Sequence, residues 1–526
     1  MNKSDRTADR LRGKKLRYRF FLVFLAVGLV ILAQPKNGAT ERKEGTNIRV
    51  IRLSLSDVLL RTLENSPAIK AVGYAIKSAA QEVLFEKGVF DPVIFGEAGY
   101  SNQEYPVSDV ITGMNTEKIQ GKAGIKKKLL FGTEIEAGTE GNRLLTDAPI
   151  YLMRPEYRQK FYVSVVQPLL RGAGINANAV KINLAKAQAD RRFHDGHKTL
   201  IDLLYDTSKT YWDLYENCEK LDAALTGLKM AEQLYHDASL KFKEGVGPRS
   251  DVMQAYAELQ HRLANVIVAR QNRIQSEITL KRVMAISEFD RLWDAKIEVL
   301  DNPVRVNDGL TFKDLLDAAR RFNPAIQTAQ VDIIEATSRK AWASNLKKPK
   351  LDIESSIAVH GLSGSDKDGK VPDKFIGGYG HGYDNVFDYP EWYIGAKFEM
   401  PIFNSQGKAR YSQAVYDLHA AQLRKRAAVV DSYGLIREIL PRFDALVSEI
   451  EARKAAVRYK KIQHEDEVYR YENGMGSLYD ALKMQSEYTD ELSELATARA
   501  RYMSSVAEIM KITGEVRLEF NKQSDL

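Results

Sequence analysis

The chain repeats itself, and the repeat limits the folds open to it more than any other feature. Leu53-Ser-Leu-Ser-Asp57 through Asn65-Ser-Pro67-Ala-Ile69 realigns with Leu310-Thr-Phe-Lys-Asp314 through Phe322-Asn-Pro324-Ala-Ile326 at a shift of 257 residues, which also lays Pro92 on Pro349 and Glu97 on Glu354. Proline starts or stops a helix by steric necessity, so paired prolines mark paired element boundaries. Farther on, Gln167-Pro168-Leu169 matches Met400-Pro401-Ile402 at a shift of 233, so the first copy holds 24 extra residues between its proline landmarks. That is room for one additional β-hairpin or a longer external loop. Gly245-Val246-Gly247 through Asp251 then matches Gly474-Met475-Gly476 through Asp480 at a shift of 229. The chain therefore divides into a leader over 1–40, a first repeat over 41–300, a second over 301–514 and a tail over 515–526.

Each copy reads in one order. A helix of about 33 residues (55–87, then 311–345) opens with Asp57 or Asp314 in its first turn, where a carboxylate opposes the helix dipole. Alternating segments with glycine breaks follow: Val93–Ser101, Ile119–Leu130, Thr133–Asn142 and Gln159–Gln167, then Leu351–Val359 and Trp392–Met400. A helix of some 65–70 residues begins near Asn176 or Gly407, reaches the Gly-x-Gly turn and is answered by one of about 36. Leu204, Thr207, Tyr211, Leu214, Cys218, Leu221, Leu225 and Leu228 alternate spacings of three and four, a coiled-coil seam in which Cys218 is a small buried hydrophobe. Val252, Tyr256, Leu259, Leu263 and Val266 keep a comparable rhythm, as do Leu492, Leu495, Tyr502, Val506 and Ile509. A 68-residue helix is about 100 Å long, close to the summed length of the two shorter helices, which predicts that these stack end to end beside it. Pro441, inside the second long helix, predicts a kink.

Charge argues against a nucleic-acid partner. The formal +7 is concentrated in residues 1–19, where eight Lys and Arg face Asp5 and Asp9, leaving about +1 on the rest. This basic stretch leads into the 14 apolar residues Phe20–Ala33, the length of a signal-peptide core and short of a bilayer span, with an uncleaved N-terminal anchor as the competing reading. The one cysteine excludes a disulfide framework and a cysteine-rich metal site. No cofactor is expected.

The paired openings at Asp57 and Asp314, the junctions Gly88-Val-Phe-Asp-Pro92, Gln167-Pro-Leu-Leu-Arg-Gly172 and Pro401-Ile-Phe-Asn-Ser-Gln-Gly407, and the doubled Gly-x-Gly-x3-Asp turns resemble the TolC family of outer membrane efflux proteins over Leu53 to Gly514. The resemblance implies a mainly α fold with β. Duplicated antiparallel coiled-coil helices would form a periplasmic α-barrel, and strands would contribute to a transmembrane β-barrel shared by a homotrimer in the outer membrane of a Gram-negative cell. It implies an exit duct for drug efflux or type I secretion, not an enzyme. A periplasmic adaptor would dock at the helix-turn tips and link the duct to an inner-membrane pump or ABC transporter. The usual number of strands is two per repeat, which a hairpin in the first copy's insertion would exceed and a longer external loop would not. Carboxylates after the second tip narrow the tunnel mouth in this family; Asp480 holds the first such position, and Lys483 departs from the pattern at the next.

The candidate residues carry two readings each. Gly245, Val246, Gly247, Gly474, Met475 and Gly476 offer apolar knobs for adaptor contact, or simply permit helix reversal. Asp251 and Asp480 are pore-mouth candidates, or first-turn caps after Ser250 and Ser477. Pro92, Pro168, Pro349 and Pro401 mark the strand–helix junctions. His194 and His197 lack a third metal ligand, and Gly377–Gly382 lacks the Lys-Ser/Thr of a phosphate loop and reads as a mobile surface loop. Tyr100, Tyr157, Tyr162, Trp392 and Tyr393 are girdle residues or plain strand formers. A coiled-coil scaffold without a pore is the alternative; a hydrolase finds no nucleophile–base pair.

Overall fold

The computed structural model describes residues 49–104, 106–109, 111–306, 311–516 and 522–525. The leader and its apolar run Phe20–Ala33 lie outside them, as does Leu310. From Val50 the chain forms one unit. In order it contains β1 (Val50–Leu53), α1 (Leu55–Asn65), α2 (Pro67–Gly88), β2 (Val93–Glu104), β3 (Asn115–Lys128), β4 (Glu134–Thr146), β5 (Met153–Pro168), α3 (Ile175–Asn178), α4 (Val180–Lys243) and α5 (Arg249–Val283). The second half runs β6 (Lys296–Val299), β7 (Val304–Val306), α6 (Phe312–Phe322), α7 (Pro324–Leu346), β8 (Lys350–Asp366), β9 (Pro390–Glu399), α8 (Ser405–Glu472), α9 (Leu478–Thr513) and β10 (Lys522–Asp525).

The opening helix of each copy is two helices. Ser66 (φ −56°, ψ 116°) and Asn323 (φ −61°, ψ 120°) are extended, because the following Pro67 or Pro324 clashes with a helical predecessor and is itself suited to a first helical position. Asp57 and Asp314 act as more than dipole partners: each closes a capping box, with Ser54 and Thr311 respectively.

The long helices α4 and α8 span 64 and 68 residues. Beside the sheet, α4 packs between α2 and α7, and α8 packs on α7; toward the tips α4 packs between α5 and α9, and α8 packs on α9. Each short pair thus succeeds itself along a long helix, four rods at either level. Helix α8 runs unbroken through Pro441, which lies on an exposed face, so proline removes one backbone donor there without dividing the rod.

Tyr211, Trp212, Leu214, Leu280, Met284, Ile297 and Tyr502 form the mid-length core, where β1 pairs with β6 in parallel. Of the seam read on α4, Leu204, Thr207, Tyr211 and Leu214 are buried, whereas Leu225 is exposed. Cys218 is half-buried, and burial pushes its thiol up. Leu495, Tyr502, Val506 and Ile509 of α9 are buried, but on α5 the expected seam holds only in part: Val266 is buried and Val252 and Leu259 half-buried, whereas Tyr256 and Leu263 face outward and Ala255 and Arg262 pack inward. Helix α9 lies between the two long rods and α5 at an edge, so equal patterns meet unequal surroundings.

Candidate functional site

The antiparallel sheet has the order β2-β3-β4-β5-β8-β9, four strands from the first copy and two from the second. The first copy's extra length goes into a hairpin rather than a longer loop: β3 and β4 have no counterpart in the second copy. Directly paired residues share a face, so the ladder can be read row by row. One row across all six strands is Ile94, Ile125, Ala137, Val163, Ile357 and Trp392, and the next is Gly96, Ala123, Thr139, Phe161, Val359 and Pro390. On the opposite face the rows read Glu97, Lys122, Glu140, Lys160, His360 and Val93, Lys126, Glu136, Ser164, Ser356, Tyr393. Ile94, Ile357 and Trp392 are 81%, 67% and 76% exposed, so that row of the apolar face is uncovered within one chain. Lys122 pairs with Glu136 at 3.1 Å and Glu140 at 3.6 Å, Lys128 with Glu134 at 3.0 Å, and Lys160 with Glu391 at 3.5 Å, balancing the polar face internally. On β8 the apolar positions from Leu351 to Val359 span about 26 Å along the strand, the scale of an outward-facing membrane band.

Pro92 and Pro349 stand where helix gives way to strand and Pro168 and Pro401 where strand gives way to helix, and the junctions of the two copies are stitched together. Arg171 N–H donates to the Pro349 carbonyl at 3.1 Å, and Leu169 N–H to Leu351 O at 2.8 Å. Gly172 N–H donates to Asn345 Oδ1 at 2.8 Å, while Asn345 Nδ2 donates to Leu170 O at 3.2 Å. Asn404, next to Pro401, adopts φ 42°, accepts from Gly407 N–H at 3.2 Å and donates to Lys347 O at 2.9 Å, tying the start of α8 to the end of α7.

At the opposite end, Gly245 (φ 78°) and Gly474 (φ 71°) take the left-handed conformation that ends α4 and α8. Val246 N–H donates to Lys241 O at 2.9 Å and Met475 N–H to Arg470 O at 2.8 Å, so the two turns share one geometry, with Val246 and Met475 exposed. A Cβ on Gly247 or Gly476 would lie 3.0 Å from Lys241 Cβ or 3.1 Å from Arg470 Cβ, so a side chain at either position would press on the last turn of the preceding helix. Asp480 is exposed and held by its cap: Asp480 N–H donates to Ser477 Oγ at 3.1 Å, and Ser477 Oγ donates to its carboxylate at 2.6 Å. Lys483 is exposed a turn later. Asp251 accepts no comparable cap from Ser250, 3.5 Å away, and faces the other hairpin: burial, with the Asp251 and Asp237 carboxylates nearby, pushes the Tyr471 phenol up. The hairpins meet where Lys241 Nζ lies 4.0 Å from the Tyr471 ring centre and donates to the Tyr471 carbonyl. Above this contact, buried Arg262 donates to Thr489 Oγ1 at 3.1 Å and Gln485 Nε2 to Gly227 O at 2.7 Å.

This arrangement has solved counterparts. The outer-membrane channel OprN matches with a TM-score of 0.62 over 88% of this chain and 89% of its own at 12% identity; the Campylobacter jejuni CmeC outer membrane channel matches at 0.60, over 91% of each, at 16%. At those identities the likeness establishes the fold. In sequence, outer membrane protein TolC of Escherichia coli is 24% identical over 370 residues, 65% of this chain and 70% of that protein. Residues 315–515 match the family model described as outer membrane efflux protein. The chain belongs to the TolC family of outer membrane efflux proteins. It is an outer-membrane channel protein of efflux or secretion that extends into the periplasm, not an enzyme.

Against that membership, several side chains fall differently from their sequence reading. Tyr100, Tyr157 and Trp392 lie on the apolar face of the TolC-type sheet, but Tyr162 and Tyr393 lie on the charged one. The Gly377–Gly382 segment is seated rather than free: Gln159 Nε2 donates to Tyr379 O at 2.6 Å, and Tyr379 stacks edge-on against Tyr157 at 5.8 Å. Gly141 and Gly361 make room for it, since a Cβ at either would lie 2.0 Å from Tyr379 Oη or Gly382 O. His197 is buried on α4, where burial and neighbouring His194 push it down to about 4; no cluster of three metal-ligating side chains occurs among the described residues.

Proposed function

We propose that three copies of this chain form a passive duct whose membrane wall is the six-stranded sheet of each copy and whose periplasmic tube is built from its four rods. One observation carries this reading: both the sheet and the rods end in unsatisfied edges. Along the row from Ile94 to Trp392 the apolar sheet face has no protein cover. Tyr256, Leu263, Ile267, Ile274 and Ile278 of α5, and Tyr416, Leu423 and Val430 of α8, form exposed apolar stripes on helices at opposite sides of the rod layer. A ring of copies covers both stripes and leaves only lipid against the sheet. A pore-free scaffold released in buffer would keep all of these surfaces in water.

The tips Gly245-Val246-Gly247 and Gly474-Met475-Gly476 are the proposed contact for a periplasmic adaptor, through which an inner-membrane pump or ABC transporter supplies the energy. Two matching turns with an apolar knob between glycines support that assignment. Opening requires the hairpins to part, and the Lys241–Tyr471 and Arg262–Thr489 contacts stabilise the closed arrangement; an adaptor that binds the parted tips better shifts the balance. Asp251, uncapped and turned toward the second hairpin, suits a pore-mouth charge better than Asp480, whose carboxylate is engaged by Ser477. Full-length protein should require detergent, migrate as a heat-sensitive oligomer and give conductance in planar bilayers. A buffer-soluble monomer with no conductance overturns the reading.

A further inference from the structure

We propose that the inserted hairpin β3–β4 is part of the membrane wall, so that three copies close a barrel of eighteen strands with a bore matched to the helical tube. This rests on the channel reading above and goes beyond it. The usual contribution of four strands per copy would give twelve.

The hairpin is fully laddered into the sheet. Strand β3 pairs with β2 from Asn115 to Lys126 and with β4 from Thr116 to Lys128, and β4 pairs with β5 from Glu134 to Leu144. Its residues carry the same division of chemistry as their neighbours: Ile125 and Ala137 continue the apolar row, and Lys122 and Glu140 continue the charged one. A hairpin folded into the lumen or lying on the outside would break those rows. Its inner turn is seated as well. Gly174 N–H donates to Phe131 O at 2.9 Å, and at Gly132 (φ 96°) a Cβ would lie 2.4 Å from Gly172 O, in the strand-to-helix junction itself.

Strand parity agrees. Strands alternate in direction across the sheet, so β2 and β9 run opposite ways and the free edge of β9 in one copy can pair antiparallel with β2 of the next. Inserting two strands preserves this relation. The occupant of each free edge is therefore a second copy of this chain.

The arcs also match. Strands β2, β5, β8 and β9 adjoin α2, α4, α7 and α8 in the same lateral order, and only β3 and β4 have no rod of their own. Six strands about 4.8 Å apart and tilted about 40° fill an arc of roughly 38 Å, whereas four would fill roughly 25 Å. Four helices about 10 Å apart need roughly 40 Å. An eighteen-stranded barrel is about 36 Å across between backbones against about 24 Å for twelve, so the wall meets the tube without tapering. Size selection then falls to the tips, and the wall, with its paired Lys and Glu, admits bulky solutes of either charge.

Single-particle electron microscopy of the full-length trimer in lipid nanodiscs tests this. Eighteen strands are expected, in a barrel about 1.5-fold wider than a twelve-stranded one. Twelve strands with β3–β4 outside the wall would overturn the inference while leaving the channel standing; a particle with no barrel overturns the channel itself. A second measurement uses Cys218→Ala protein carrying Ile125→Cys or Lys122→Cys. Bilayer-soluble nitroxide should quench a fluorophore at position 125 and not at 122, and aqueous maleimide should prefer 122 at least 10-fold. Equal labelling of both from water, in a trimer that still conducts, removes the hairpin from the wall.

Discussion

Gly172 and Asn345 are joined by a hydrogen bond of 2.8 Å from the backbone N–H of one to the side-chain oxygen of the other, although 173 residues separate them. The same amide donates back to Leu170 O at 3.2 Å, so a single side chain in the last turn of α7 fixes the point where β5 leaves the sheet. Asn345→Ala strands both backbone groups and is expected to cost about 1–3 kcal/mol. The temperature at which the oligomer dissociates on a gel should fall accordingly, with Asn345→Asp, which keeps the acceptor, lying between.

Glu277 on α5 holds two buried cations at once. It accepts from Arg273 at 3.0 Å and from Lys281 at 2.8 Å, and these donate to Ile297 O at 2.9 Å and Ala295 O at 2.6 Å, fastening β6 to the helix. Glu277→Ala leaves both charges unpaired, so a loss of about 3–5 kcal/mol is expected in thermal unfolding. Replacing Glu277, Lys281 and Arg273 together with apolar residues should cost less than the single change.

Acid should loosen the rods. His197 is held neutral with its value pushed down to about 4 from 6.5, and burial also lowers His464, which stacks on Tyr488. The unfolded chain binds these protons first, so stability is complete above about pH 6.5 and falls as pH drops toward 4. His197 alone contributes a loss of about 3 kcal/mol at the end of that window. A melting series across the window should show the decline, and His197→Phe should flatten it.

At the tips, Gly474→Val forces a β-branched residue to φ 71° and is expected to cost about 1–2 kcal/mol. Val246→Asp and Met475→Asp keep the backbone and should leave oligomer stability and bilayer conductance unchanged. Both should abolish pump-dependent export in cells if the tips meet the adaptor; unchanged export by the double variant would count against that role.

On the membrane wall, Ile357→Arg places a charge in the middle of the apolar row and should destabilise the oligomer by about 2–4 kcal/mol. The same substitution at Ser356, one residue away on the polar face, is expected to be tolerated in the same heat-dissociation assay.

Much of this was legible in the chain because it is local. The prolines at 67, 92, 324 and 349 and the glycines at 245 and 474 act on their own backbone, so the repeat, the junctions and the turns could be read without neighbours. The alternation of Ile353, Ile357 and Val359 marked a strand. Its true end at Asp366 did not show, because Gly361, Ser363 and Gly364 have no apolar pattern and extend the strand by pairing with β5. Tyr162 and Tyr393 illustrate the same limit: aromatic character says strand, whereas the face is set by register.

The sequence by itself determined the duplication, the order of the helices and main strands in each copy, the boundaries marked by proline and glycine, and the resemblance to the family, since all of these follow from steric and periodic constraints within short stretches. Only the tertiary structure decided that α9 lies between two long rods and α5 at an edge, that the insertion enters the sheet as β3 and β4, and which sheet face is apolar. Those outcomes depend on partners hundreds of residues away. A stripe of apolar residues specifies that something must cover it, and only the arrangement of the other rods determines whether the chain itself supplies the cover.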